Sequence, residues 1–209
     1  MALKSISRET VAFSLAGVSI LLRIASDWLF STGGPLPYQM LQAAFLLLAL
    51  IALWPHLDLV YLKSGLSRRA IQEGLLALPL GFLAGMAIAW MQFGEPRWPT
   101  VAQAVRMLAN NLFFPAVEEL EFRGFLLAWL ISRKLAPTLA VWLAAALHTF
   151  AHPHYLWDGN YLSFVSLFIL LAWFGGLTLR TRSLWGAYLA HALWNISFFL
   201  PLLGAGMER

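Results

Sequence analysis

Seven apolar runs, at roughly residues 10–30, 38–55, 74–93, 101–131, 137–152, 161–179 and 184–203, meet or approach the about 20 residues that a helix needs to cross a bilayer. They predict an all-α fold, a polytopic transmembrane helical bundle of about seven spans. Composition agrees: 60% of the 209 residues are hydrophobic and 11% charged, against about a quarter charged in soluble domains. The connections are short, and neither a linker rich in Ser, Gln or Pro nor an internal repeat interrupts them. Residues 1–209 are therefore expected to form a single integral-membrane domain. The segment before the first run carries Lys4 and Arg8 and resembles the n-region of a signal peptide. The apolar run behind it is span-length and lacks an obvious cleavage site, so it is read as the first span.

Cationic residues orient the bundle. Lys4 and Arg8 precede the first span, Lys63, Arg68 and Arg69 follow the second, Arg133 and Lys134 the fourth, and Arg180 and Arg182 the sixth. All fall on one side if the seven spans are real, while Arg97 and Arg209 fall on the other. The positive-inside rule then places the N-terminus in the cytoplasm and the C-terminus outside. The net charge of +4 is accounted for by these loops, and no basic cluster interleaved with aromatics points to nucleic acid. The expected surroundings are the lipid bilayer of the cell (plasma) membrane, crossed several times. No cysteine is present, which excludes disulfides, thiolate metal ligands and a cysteine nucleophile.

Against this apolar background the ionisable residues inside the spans stand out, because each costs several kcal/mol unless it faces a polar interior. Glu118, Glu119, Glu121 and Arg123 fall within six residues. Glu119 and Arg123 lie four apart with the acid first, the arrangement that pairs along one helix face. Glu118 points about 100° away, free of that partner and available as an acid or base. Glu121 is read as a spacer or as a second carboxylate crowding Glu118. His148 and His152 are four apart, as are His191 and Asn195, so three helices bring polar groups to one interior. Arg23 and Asp27 in the first span are expected to neutralise each other or to anchor that helix. Asn110-Asn111 followed by Pro115 predicts a bend in the long run from Thr100 to Ser132. An interfacial helix would end near Asn110, and the spanning helix would follow.

Glu118, Glu119 and Arg123, then His152, then His191 and Asn195, together resemble the CPBP (Abi) intramembrane proteases, relatives of the type II CAAX prenyl endopeptidases. The resemblance covers about residues 118–195, within a motif-bearing core of about 101–203. It departs from the family pattern at His148, which stands where the family usually has Phe, so His148 competes with His152. It departs again at Arg182, which stands where a glycine is usual. At 1.5 Å per residue, Glu118 lies about 21 Å from the cytoplasmic end of its helix, His152 about 22 Å and His148 about 16 Å. Depth favours His152. By the same measure His191 is only about 12 Å above Ser183, so the last helix must begin deeper or the site must slope.

The resemblance implies hydrolysis of a peptide bond in a membrane-associated protein or peptide by a glutamate-activated water, without a cofactor or metal. Glu118 with His152 would be the base, His191 and Asn195 would bind the oxyanion, and Glu119, Arg123 and His148 would support them. Two rival readings keep the same residues. Glutamate and histidines suit a zinc-dependent protease, although the HExxH order is absent. A non-enzymatic immunity or interaction protein would use them as a polar network.

Overall fold

The computed structural model describes residues 7–30 and 36–203. Lys4 and Arg209, which entered the charge pattern, lie outside them. Among the described residues all regular structure is helical: α1 (Arg8–Phe30), α2 (Leu36–Leu53), a 3₁₀ turn (Trp54–Val60), α3 (Arg68–Leu75), α4 (Ala77–Phe93), α5 (Val101–Glu119), a π-helical segment (Leu120–Leu126), α6 (Leu127–Ser132), α7 (Pro137–Phe150), α8 (His154–Trp157), α9 (Tyr161–Thr181) and α10 (Leu184–Phe199). Helix occupies all seven apolar runs. Four helical runs, Arg8–Phe30, Leu36–Val60, Arg68–Phe93 and Tyr161–Thr181, are long and apolar enough to cross a membrane, and Pro137–Phe150 is a shorter apolar helix.

Thr100 starts the long central run with a capping box, its side chain accepting from the Gln103 amide while Gln103 accepts from the Thr100 amide. Where a bend was expected, helix continues through Pro115 to Glu119. Proline leaves the carbonyl four residues back, that of Asn111, without its usual donor. Two carbonyls beside it receive side-chain donors: Asn111 Nδ2 donates to that of Met107 at 2.9 Å, and Tyr188 of α10 to that of Leu112 at 3.1 Å. The departure from α-geometry comes instead at Leu120–Leu126, directly after the paired glutamates.

This central run is enclosed by α1 and α2 on one side and by α7 and α10 on the other, and α10 also packs on α3, α4, α5 and α9. The α4–α10 contact is made by small residues at every fourth position, Ala77, Gly81, Gly85 and Ala89, all buried. Lipid is as apolar as any side chain, so helices in it associate through such close backbone approach. A Cβ on Gly81 would stand 2.8 Å from the Trp194 carbonyl oxygen, and one on Gly85 would stand 2.9 Å from the Phe198 carbonyl carbon.

Several of the cationic loops meet at one end of the bundle. Glu73 pairs with Arg69 at 2.6 Å and Arg180 at 2.7 Å, and the Leu184 amide donates to the Tyr61 carbonyl at 3.1 Å. Ser183, before α10, is fully buried and donates to the carbonyls of Ser64 and Gly65 at 3.1 and 3.2 Å. The last helix thus begins inside the protein, beneath the 61–65 loop, which accounts for the short apparent rise of His191.

Gly81→Ala and Gly85→Ala each push a methyl into the backbone of α10 and should cost about 1–3 kcal/mol, as overpacking does. Gly17→Ala, where the new methyl meets nothing within 4 Å, should be neutral or slightly stabilising because alanine is the better helix former. Thermal unfolding in detergent checks the contrast. Equal midpoints for all three variants would show that α4 and α10 do not pack this closely.

Candidate active site

The site is built on the turn where α5 passes into the π-helical segment, a geometry that recurs at functional sites. Glu118, Glu119, Glu121 and Arg123 are all buried, and each carboxylate finds its own set of partners. Glu119 Oε1 receives Arg123 Nη1 at 3.1 Å and His191 Nδ1 at 2.8 Å. Glu121, fully buried, accepts from Ser19 Oγ of α1 at 2.6 Å, Gln42 Nε2 of α2 at 2.9 Å and Arg23 Nη1 of α1 at 3.3 Å. Glu118 accepts from Arg23 Nη2 through Oε1 at 2.5 Å. Its Oε2 lies 3.4 Å from His148 Nε2 and 3.6 Å from His191 Nε2. Glu118 is 7% exposed and the other two carboxylates 0%, so it is the one that water can reach.

The bonding pattern fixes what each imidazole presents to Glu118. Arg123 donates through Nη1 to His148 Nδ1 and through Nη2 to the Leu171 carbonyl of α9 at 2.9 Å. Guanidinium has no acceptor, so His148 Nδ1 carries the lone pair and Nε2 carries the proton. His148 also stacks on Phe122, with centroids 4.1 Å apart and planes 2° from parallel. Its Nε2–H is buried and faces Glu118 Oε2 at 3.4 Å without completing a hydrogen bond. His152 donates from Nδ1 to the His148 carbonyl at 3.1 Å, which leaves Nε2 with the lone pair in the neutral ring. His191, whose Nδ1–H is held by the Glu119 carboxylate, likewise turns Nε2 toward Glu118. Of these two neighbours, His148 in the last turn of α7 lies against the carboxylate, and half-buried His152, two residues past the end of α7, offers a proton-accepting nitrogen. Asn195 stands one turn beyond His191 on α10, also half-buried.

Glu118, expected without a partner, has one in Arg23, supplied from 95 residues away. Arg23 Nε is 3.9 Å from Asp27 Oδ2, so Arg23 anchors α1 to the site more than it neutralises Asp27. Glu121, read as a spacer or as a second carboxylate near Glu118, is held by three donors from α1 and α2, one of which, Arg23, also contacts Glu118. The pairing of Glu119 with Arg123 is as expected, but its bond to His191 joins α10 to the same carboxylate. Arg23, Ser19 and Gln42 were not legible as a set. Only Arg23, an ionisable residue within an apolar helix, gave a signal.

Glu118, His148 and His152 each offer one ligand atom, and these atoms lie within 4.8 Å of one another. The donor chemistry nevertheless does not suit a cation. A metal at His148 Nε2 needs a lone pair there, and the Arg123 bond places a proton on that nitrogen instead. Arg23 already supplies a full positive charge to Glu118.

Residues 99–197 match the Rce1-like family, described as type II CAAX prenyl endopeptidase Rce1-like. No curated protein and no solved structure matches the chain. The matched residues take in Glu118, Glu119, Arg123, His148, His152, His191 and Asn195 and leave out α1 and α2, where Arg23, Ser19 and Gln42 reside.

Treatment of the purified protein with a strong zinc chelator should leave any hydrolytic activity it has intact, and equilibrium metal analysis should find no stoichiometric zinc. Loss of activity that added zinc restores would overturn the tautomer assigned to His148.

Proposed function

Because the segment 99–197 is CPBP/CAAX protease-like, a hydrolase type, in a protein with membrane-spanning helices, we propose that the chain is an intramembrane endopeptidase acting on a membrane-associated protein or peptide. The observation that carries this reading is the convergence of His148 Nε2 and His191 Nε2 on Glu118 Oε2, at 3.4 and 3.6 Å. A water beside Oε2 gives its proton to Glu118 as its oxygen attacks the scissile carbonyl carbon. The carbonyl π-electrons move to oxygen, and the resulting oxyanion is stabilised by Asn195 and by His191, whose Nδ1 is held by Glu119. Collapse expels the amine, which takes its proton from Glu118 through His152, the neighbouring ring with a nitrogen free to relay it. His148 holds Glu118 from the side, and Arg123 holds His148.

The same reading treats residues 1–209 as one domain of seven spans in the cell membrane, N-terminus inside. It is supported by the meeting of the 61–65 loop, Glu73 and the Arg180–Ser183 turn at one end of the bundle. A C-terminal reporter that works only in the cytoplasm should stay silent. An active one would change the span count by one.

Removing a positioned general base costs on the order of 10² to 10⁴ in rate. Glu118→Gln should therefore yield a folded protein without cleavage, its thermal stability lowered by loss of the Arg23 pair but less than in Glu119→Gln because Arg23 keeps Glu121 and Asp27, and the membrane proteome with and without this change should differ by the substrates. Glu119→Gln should behave otherwise: breaking a buried ion pair destabilises by about 3–5 kcal/mol, and the lost anchor of His191 should lower activity as well. Full turnover by Glu118→Gln would remove the carboxylate from the mechanism.

A further inference from the structure

The family-like segment contains every motif residue, yet the nearest charged neighbour of Glu118 comes from outside it. Arg23 on α1 bridges two carboxylates, reaching Glu118 Oε1 through Nη2 at 2.5 Å and Glu121 Oε2 through Nη1 at 3.3 Å. Glu121 is held in turn by Ser19 and Gln42. Arg23 is thereby fixed in direction by a chain that runs from α2 through Glu121. The arrangement uses up one oxygen of Glu118 and leaves the other to face the histidines.

We propose that Arg23 is a positioning residue of the active site: it supplies the counter-charge that keeps Glu118 ionised within the bundle and turns Oε2 toward His148 and His191. Glu121, with Ser19 and Gln42, is the mount that holds Arg23. The inference rests on the endopeptidase reading for its kinetic consequence, but its electrostatic content stands without it.

The electrostatic surroundings support this role. The groups near Glu118 are Arg23 and Asp27 on α1, Glu119, Glu121 and Arg123 on the central helix, His148 on α7, His152 just after it, Tyr155 on α8 and His191 on α10. Arg123 spends its donors on Glu119, His148 and the Leu171 carbonyl. His148 takes the tautomer that Arg123 imposes, with the lone pair on Nδ1. Among the described residues Arg23 is then the cation in direct contact with Glu118, and a carboxylate in a low-dielectric interior without such a contact takes up a proton instead. A protonated Glu118 cannot accept one from water.

The test compares wild type, Arg23→Lys, Arg23→Gln and Arg23→Gln/Glu121→Gln as full-length proteins in detergent. The double variant removes one orphaned carboxylate along with the arginine, so it retains a charge balance that the single change loses and covers the case where Arg23→Gln fails to fold. Turnover per folded molecule should fall on the order of 10²-fold in the double variant, within the range a positioned base contributes. KM should change little, the acid limb of the pH–rate profile should move to higher pH, and Arg23→Lys should recover a large part of the loss. Infrared spectra at neutral pH should show a protonated-carboxyl band in the double variant that wild type lacks and that further Glu118→Gln removes. A merely structural Arg23 would lower the unfolding midpoint without moving the pH profile or producing the band. Wild-type turnover and an unmoved profile, or the absence of the band, would overturn the inference. If wild type and Glu118→Gln cleave equally, the endopeptidase reading itself fails, and the infrared band alone decides whether Arg23 keeps Glu118 charged.

Discussion

A fully buried guanidinium is the constraint around which the centre of this bundle is arranged. Arg123, 1% exposed, gives hydrogen bonds to His148 of α7 and the Leu171 carbonyl of α9 while pairing with Glu119 one turn back on its own helix. Its charge cannot be discharged by deprotonation, so burial is tolerable only with every side of the fork satisfied. Satisfying it fixes the distance between three helices. It also sets the tautomer of His148, and through Glu119 the orientation of His191. The chemistry available at Glu118 is thus decided by a residue that need not touch a substrate.

The π-helical segment explains how four ionisable residues within six positions all become interior. On a regular α-helix they would spread over more than half the circumference, and some would meet lipid. Here the central run is covered on opposite sides, by α1 and α2 around Glu121 and by α7 and α10 around Glu118 and Glu119. The widened turn begins directly after Glu119. It combines with that enclosure to surround the three carboxylates with donors from α1, α2 and α10, with Arg23 shared by Glu118 and Glu121 and His191 lying between Glu118 and Glu119.

Much of the site was legible because charges and histidines inside apolar helices are conspicuous, and because their spacing by four assigns them to faces. Glu119 with Arg123 followed from that spacing alone. Long-range partners did not. Arg23 has a carboxylate four residues away, so the local rule points to Asp27, and nothing in the sequence indicates that Glu118 is closer in space. Pro115 points to a break between two helices, whereas the helix runs unbroken through it, and the brace that Tyr188 of α10 gives the Leu112 carbonyl comes from a neighbour the sequence does not specify. The π-segment left no trace either, since its composition suits an ordinary helix. The depth estimate for His191 left two possibilities, a last helix that begins deeper or a site that slopes, and buried Ser183, bonded under the 64–65 carbonyls, agrees with the first.

The glycine face of α4 bears on the precision of the site. Because Gly81 and Gly85 bring α4 against the main chain of α10, the height of His191 is gauged by backbone resting on backbone, a stop with no rotamers to relax. Side-chain contacts elsewhere can yield by a few tenths of an ångström through torsion. This one transmits any added bulk directly as displacement of a ring nitrogen relative to Glu118, so the tolerance of the active site is machined on a surface that carries no reactive group at all.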